Sequence, residues 1–548
     1  MNKLLMNLTF ILLLVALFVS TPKILLFYDT PEYVKIVSNN SFLASLSKGH
    51  TPIHPVFIGI LWIAIRVLIL IPGVNWEYAG SLTAYLFSFI SLLFFYKLTR
   101  FFIKDTYLRL ISTVIFIFFP AIWIVHTNLL VESMTLPFFV VSFYLLCKYL
   151  ENRKLVYGLL YSVALFLMTG THVESFIWIP ALVGFWFITA GNIKIEVLKK
   201  VFIYTFLGII FSLVFYLLIF LSQGQNLYLS IRDLFFVHKS VYDLTGLDGL
   251  MRMFRNVYLN LAKGYSALAF FLLIAIFLFS TKKSSTYLGW FLIILTVVLQ
   301  GAIWTGDFMP RRLAFIAPIA AIIFVKRMSF KAIFLVVYLA VIVYANSLLY
   351  SRPSQKMPIY AIEKAVNYVP ENEVYLQTHY LDPYVRGYKG ELVFIDTYKK
   401  GDLEKYFTER KRVFMDSQTV KAPYFLYVGN NYHITSIYKT GISPAKEIFK
   451  NYSVCFYSLI DSSNLVIYEV KESGTRCDRN FSKKTNNKGE TVTFYSDNLL
   501  NKINRERVDY GDMAVWLWYL TTSQKDALDW TYTDVEGYYV DTTEVLRN

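Results

Sequence analysis

Four short segments of the chain combine acidic, basic and histidine side chains in patterns that could support group transfer. The first, 27–33, places Asp29 and Glu32 directly after a long apolar run. Acidic side chains at the boundary of an apolar segment are costly, and they usually serve a function there. A carboxylate such as Asp29 can accept the proton that a hydroxyl loses when it attacks an electrophile. The alternative interpretation is a solvated loop with a turn at Pro31.

Two further segments carry glutamate and histidine but no lysine or arginine. They are 126–133 and 170–175, and their candidate substrate-binding residues are Asn128, Glu132, His172 and Glu174. The two glutamates could orient a substrate, hold a divalent cation or pair with nearby cations, and the sequence leaves these alternatives open. Asp29, Glu32 and Glu132 could supply the several oxygen ligands that a hard cation requires, although they lie in separate loops.

The fourth segment, 305–312, ends in an arginine pair beside Asp307 and Pro310. The planar guanidinium groups of Arg311 and Arg312 are well suited to bind a phosphate through paired N–H donors. The alternative is an arginine pair that reaches into the lipid headgroups. Two further candidate cations, in the segment 222–262, are Arg232 and Lys239.

Two histidines, His50 and His54, flank a proline-rich turn at 51–55. A single histidine in such a turn is more often structural or solvated than functional. His54 is nevertheless a candidate for substrate binding, as is Tyr33 of the first segment.

The elements that must position these side chains are membrane helices. Of the 548 residues, 56% are hydrophobic and 18% aromatic, and the mean hydropathy is +0.47. These values are typical of a polytopic membrane protein. The net charge of +15 does not indicate a nucleic-acid partner, because the cations lie largely at the ends of apolar runs. The first apolar run lacks a small-residue cleavage site, so we interpret it as a retained helix.

Eleven apolar runs are predicted to span the bilayer, which takes roughly 20 residues per helix. They are 4–27, 79–96, 110–125, 134–150, 155–169, 175–190, 201–221, 264–280, 286–304, 312–325 and 330–349. A further run, 52–71, contains Arg66 and is predicted to be a surface or re-entrant helix. With that assignment the basic loops and the N-terminus all face the cytoplasm. The four candidate segments then lie at the outer face of the plasma or inner membrane.

The composition turns polar near residue 351, which predicts a membrane domain over 1–350 and an extracytoplasmic α/β domain over 351–548. Strands are expected at 373–378, 391–395, 412–415 and 424–428, with a hairpin joining 453–459 to 464–470. Helices are expected at 359–369 and 513–520. Cys455 and Cys477 could form a disulfide in an oxidising compartment, whereas Cys147 lies in an apolar run.

The order of these segments resembles the GT-C glycosyltransferases, which include protein O-mannosyltransferases, the aminoarabinose transferase acting on lipid A and the oligosaccharyltransferase catalytic subunit. The stretch Asp29-Thr30-Pro31-Glu32-Tyr33 is similar to their acidic first-loop motif. The other similar stretches are Thr51–Pro55 (a surface His-Pro-Pro segment), Asn128–Glu132 with Pro137 (an acidic second-loop motif) and Pro310–Pro318 (an arginine-containing stretch that opens a late span). The resemblance covers about residues 1–350.

The chain also departs from that family. It has no Asp-x-Asp pair and no Trp-Trp-Asp signature, which argues against the oligosaccharyltransferase subfamily. Relatives often carry Arg-Pro-Glu in the third outer loop, where this chain has Thr171-His172-Val173-Glu174. Glu174 can match their glutamate, and His172 is then the candidate for the partner cation.

The resemblance implies transfer of a sugar from a polyprenyl-phosphate donor to a glycan, lipid or protein acceptor, with inversion at the anomeric carbon. Asp29 would be the base, Arg311 and Arg312 would bind the leaving phosphate, and the other candidates would bind substrate. Two alternatives are a transporter or flippase, and a polymerase or ligase of surface polysaccharide. Transporters often show internal repeats, and none is visible in this sequence.

Overall fold

The computed structural model describes most of the first half of the chain and parts of the second. The described residues are 2–21, 30–46, 48, 54–190, 195–222, eight positions between 251 and 265, 284–303, 310–328, 336–340, 342–343, 365–377, 385, 387–394, 403–416, 426–428, 431–433, 452–460, 465–475, 484–485 and 491–492. They divide into two compact units, with the division after Ser351.

The described part of the first unit consists of helices. Its elements are α1 (Asn2–Ser20), α2 (Thr30–Asn39), α3 (Phe42–Leu46), α4 (Pro55–Leu68), α5 (Trp76–Thr99), α6 (Thr106–Phe118), α7 (Pro120–Thr127), α8 (Val131–Asn152), α9 (Leu155–Thr171), the 3-10 helix η1 (Val173–Trp178), α10 (Ile179–Ala190), α11 (Ile195–Ser222), α12 (Ser284–Ile303), the 3-10 helix η2 (Pro310–Leu313) and α13 (Ile316–Met328).

Three of the described helices are long and apolar enough to cross a membrane, namely α5, α8 and the 196–222 part of α11. The pair α6 and α7 passes the same criterion together, and shorter apolar helices accompany them. The predicted total of eleven spans and the predicted orientation stay predictions, because these observations concern length and composition alone.

The run 110–125 was expected to be one continuous helix, but α6 and α7 meet at a bend of 70°. Phe119, between them, has the extended ψ of 127°. Proline disfavours the helical conformation in the residue before it, and it is well tolerated in the first turn of a new helix. Pro120 therefore explains why the helix ends at Phe118 and starts again in another direction.

Helix α4 explains why an arginine occurs inside the apolar run 52–71. The Arg66 guanidinium lies 4.3 Å from the ring centre of Trp62 and 5.7 Å from that of Trp76. It also donates to the backbone oxygens of Val37 and Asn40, at 3.4 and 3.5 Å. At 14 residues α4 is about 21 Å long, which is shorter than the roughly 30 Å hydrocarbon core.

The second unit contains a five-stranded mixed sheet with strand order β2-β1-β3-β7-β6. Its strands are β1 (Val374–Gln377), β2 (Glu391–Phe394), β3 (Val413–Asp416), β6 (Ser453–Ile460) and β7 (Leu465–Lys471). Strand β1 is parallel to β2 and β3, whereas β7 runs antiparallel to β3 and β6. A short helix, α14 (Glu404–Thr408), precedes β3, and two small hairpins pair β4 (Leu426–Val428) with β5 (Asn431–His433) and β8 (Lys484–Thr485) with β9 (Thr491–Val492).

Each strand expected in the C-terminal region contains or overlaps an observed strand, and the expected hairpin is β6–β7. Cys455, on β6, is disulfide-bonded, and Cys147 is free and buried on α8. Several predictions concern positions that lie outside the described residues. They include Asp29, the side chain of Glu32, His50, Arg232, Lys239, Asp307, Cys477, the run 266–280, residues 359–364 of the predicted helix 359–369, and the helix 513–520.

Candidate functional site

A buried cluster of charged side chains forms where three parts of the helical unit meet. Glu132 lies in the first turn of α8, and Arg311 and Arg312 lie on η2. Glu132 Oε1 is 3.0 Å from a terminal nitrogen of Arg312 and 3.5 Å from Nε of Arg311. The exposed fraction of the side chain is 3% for Glu132, 12% for Arg312 and 8% for Arg311. The sequence predicted all three as site residues, and the structure brings them together.

A second carboxylate lies near Arg312 in this cluster. Glu174, on η1, has Oε2 3.8 Å from the same terminal nitrogen of Arg312. Two glutamates thus face two arginines in a largely buried place. Desolvation of such charges is costly unless opposite charges stand close by, so each group depends on the others for its charged state.

His172 joins the cluster between α9 and η1. Its Nε2 is 3.2 Å from the terminal nitrogen of Arg312 and 3.7 Å from Oε2 of Glu174. The sequence suggested His172 as the partner cation of Glu174. The structure places it close enough for that role, but it also places it against an arginine.

Two aromatic contacts connect the cluster to the segment that follows Asp29. The rings of His172 and His54 stack with their centres 5.2 Å apart, and His54 in turn lies edge-on to Tyr33 at 6.1 Å. His54 precedes α4, and Tyr33 lies on α2, where it is 2% exposed. Glu32 is the preceding residue of α2, and α2 begins at Thr30, directly after Asp29.

Asn128 lies in the connection from α7 to α8, four residues before Glu132. It is buried, and its amide nitrogen donates to the Thr127 hydroxyl at 3.0 Å. Helix α7, which ends just before Asn128, contacts η2. Asn128 thus lies in the chain between an element that contacts η2 and Glu132 itself.

Two buried tyrosines form hydrogen bonds to the backbone beside the cluster. The sequence did not suggest either of them. Tyr216, on α11, donates to the carbonyl oxygens of Thr169 and Gly170, just before His172. Tyr265 donates to the carbonyl oxygen of Leu313, at the end of η2, over 2.7 Å. A buried tyrosine hydroxyl usually finds a partner, but the sequence does not say which one.

Among the described residues, no group of three histidine, cysteine or acidic side chains has a geometry suited to a metal ion. The carboxylate of Glu132 faces two guanidinium groups. This arrangement fits a carboxylate that neutralises arginine better than one that binds a cation, since the arginines repel a metal ion.

Comparisons with known proteins find similar chains among solved structures. No family model and no curated protein sequence matches the chain. Among solved structures, the chain is similar to ArnT from Cupriavidus metallidurans bound to undecaprenyl phosphate, with a TM-score of 0.49, 10% identity and coverage of 85% of this chain and 97% of that one. It is also similar to the apo state of the same protein, with a TM-score of 0.42, 12% identity and coverage of 85% and 98%.

Proposed function

We propose that the chain is a membrane glycosyltransferase that moves a sugar from a polyprenyl-phosphate donor to an acceptor hydroxyl at the outer membrane face. The observation that carries this proposal is the arginine pair of η2, held in a buried place at the end of apolar helices. Buried arginine is rare unless it is paired. A long apolar ligand with one phosphate matches both properties of the place, its apolar surroundings and its two guanidinium groups.

The reaction follows from these groups. The acceptor oxygen attacks the anomeric carbon from the side opposite the phosphate, and a new glycosidic bond forms. The bond between the anomeric carbon and the phosphate oxygen breaks, and its electron pair leaves with the polyprenyl phosphate. The acceptor proton goes to the carboxylate of Asp29. Attack from the opposite side inverts the anomeric centre.

In this scheme Arg311 and Arg312 stabilise the negative charge that builds up on the leaving phosphate. Glu132 and Glu174 keep the guanidinium groups in place and compensate their charge before the donor arrives. Tyr33 and His54 connect the arginine cluster to the start of α2, and we place the sugar beside them. Asn128 and Glu32 are proposed to contact substrate from the neighbouring connections.

Two variants separate the roles of base and phosphate site. Asp29→Asn should lower the rate of sugar transfer by about 10²–10⁴-fold and leave binding of undecaprenyl phosphate unchanged. Arg312→Lys keeps the charge but loses the planar pair of donors, so it should weaken binding by about tenfold or more. The measurements are transfer from undecaprenyl-phosphate-linked hexoses and pentoses radiolabelled in the sugar, and binding of undecaprenyl phosphate.

Arg100→Lys is the matched control, because Arg100 is 40% exposed and pairs with Glu151 at the far end of α5 and α8. It should leave binding and transfer unchanged. Undiminished transfer by Asp29→Asn would remove Asp29 from the role of base. Equal binding by Arg312→Lys and wild type would show that the pair is a structural ion pair. Uptake of a free solute by vesicles carrying the protein would favour the transporter.

A further inference from the structure

His172 has two contacts that require different protonation states of the same ring nitrogen. A guanidinium only donates hydrogen bonds, so Nε2 of His172 must accept the contact from Arg312 and must carry no proton. An ion pair with Glu174, at 3.7 Å from the same nitrogen, requires a proton there. One nitrogen cannot meet both requirements, so the two contacts belong to two different protonation states of His172.

The charges around His172 decide which state is favoured. Arg312 contacts it from η2 and Glu174 from η1, while Glu132 of α8 pairs with both Arg311 and Arg312. Among the described residues, the two positive and two negative charges of this cluster cancel when His172 is neutral. Two further titratable groups of the described part of the chain stand nearby, namely His54, stacked on the ring, and the Tyr216 hydroxyl, which donates to backbone oxygens.

An anionic phosphate disturbs this balance. If the phosphate of a polyprenyl ligand enters a neutral buried cluster, one negative charge is left without compensation, which is costly. A proton on His172 restores the balance. Its stacked neighbour His54 is the competing acceptor, and two charged imidazoles 5.2 Å apart would repel, so one of the two rings takes the proton. His172 is the ring in contact with Glu174, which stabilises its charged form.

We propose that His172 is a positioning residue that takes up one proton when the phosphate of the polyprenyl ligand binds. This inference rests on the proposed function. Neutral His172 accepts an N–H of Arg312 and holds it back from the ligand. Protonated His172 pairs with Glu174, and the released N–H of Arg312 donates to a phosphate oxygen. The proton comes from water on binding and returns to it on release.

The consequence is a pH dependence of binding with a defined sign. Binding takes up a proton, so affinity rises as pH falls and declines as pH rises. Histidine is the side chain that ordinarily changes charge between about pH 5 and 8, so the effect belongs in that range. Where His172 is neutral in the free protein, the dissociation constant should rise about tenfold per pH unit.

The test uses the full-length protein and undecaprenyl methyl phosphate, a diester that lacks the second ionisation of a phosphate monoester. Its dissociation constant is measured by calorimetry from about pH 5.5 to 8.5, the histidine range. On the alkaline side, the dissociation constant of wild type should rise with pH, with a slope that approaches tenfold per pH unit. His172→Gln should bind with little pH dependence. His433→Gln is the matched control on β5, in the second unit, and should follow wild type.

A second measurement does not depend on any variant. The binding enthalpy of wild type in buffers with different heats of ionisation reports the protons taken up, and we expect a number approaching one on the alkaline side. No proton uptake by wild type, with equal affinity at every pH, would overturn the inference and leave the proposed function standing. A pH dependence that persists in His172→Gln but vanishes in His54→Gln would assign the proton to His54 and also overturn it. No binding by wild type at any pH would remove the proposed function itself.

Discussion

At the scale of single residues, the central feature is a set of charges that stay buried because they compensate one another. Glu132 Oε1 forms ion pairs with two guanidinium groups, and Glu174 forms a second ion pair with that of Arg312. Removal of one member of such a set leaves the others with uncompensated charge, which usually costs more than the intact set contributes to stability. The stability of this part of the protein should therefore depend on Glu132 more than on any exposed glutamate.

We expect Glu132→Gln to lower the free energy of unfolding by about 3–5 kcal/mol, because it removes the carboxylate charge that pairs with both arginines. The measurement is the apparent Tm in detergent. Undecaprenyl phosphate should raise the Tm of Glu132→Gln more than that of wild type, since the phosphate supplies the missing negative charge. Glu151→Gln is the control, because Glu151 is 49% exposed, and its loss should cost less than about 1 kcal/mol. Equal Tm values for both variants would contradict this account.

At the scale of elements, the cluster depends on how closely certain helices approach. Helices α10 and α12 cross at a pair of glycines, Gly184 and Gly289. A Cβ atom at Gly184 would lie 2.6 Å from the carbonyl oxygen of Gly289 and 2.9 Å from Cβ of Leu292, so neither neighbour can move aside without a backbone shift. Small residues allow membrane helices to approach in this way. Because α12 also contacts η1 and η2, its position bears on His172 and on the arginine pair.

Gly184→Ala should therefore act on stability and on ligand binding together. We expect a loss of about 1–3 kcal/mol in stability from overpacking, together with weaker binding of undecaprenyl phosphate. Apparent Tm and the dissociation constant are the measurements. Gly387→Ala is the control, because a Cβ atom there would meet nothing within 4 Å. Unchanged binding with a reduced Tm would show that the contact supports the fold without positioning the site.

At the scale of the whole molecule, the cluster and a set of basic residues lie at opposite ends of the same helices. Arg100 and Lys148 both contact Glu151, which places the ends of α5 and α8 together. Arg153, with a left-handed φ of 57°, and Lys154 turn the chain into α9. Glu132 begins α8 and His172 follows α9, so both lie at the other end, about 33 Å away along the 22 residues of α8.

The positive-inside rule then predicts the side of the membrane on which the cluster lies. Lys154 should face the cytoplasm, and the cluster should face outward. A reporter inserted at Lys154 should be active as a cytoplasmic fusion and inaccessible to membrane-impermeant reagents in intact cells. A reporter after Leu70, between α4 and α5, should give the opposite result. If Lys154 is accessible from outside, the predicted topology and the outer location of the proposed reaction are both wrong.

The sequence by itself determined the features that depend on neighbouring residues. Apolar runs predicted the helices, the alternation of the C-terminal region predicted the strands of the mixed sheet, and the residue types at 132, 172, 174, 311 and 312 predicted a charged site. These predictions succeed because periodicity and hydropathy act over short stretches of chain. The bend between α6 and α7 could also have been predicted from Pro120, because proline restricts the backbone of the residue before it.

Only the tertiary structure decided which of these residues meet. Arg312 and His172 are 140 residues apart in the chain, and their contact depends on the packing of α8, α9, η1 and η2 together. No local pattern records that packing, which also supplies the tyrosine hydroxyls beneath Gly170 and Leu313. Nε2 of His172 lies within 4 Å of both Arg312 and Glu174. These short distances depend on how the helices of the whole bundle pack.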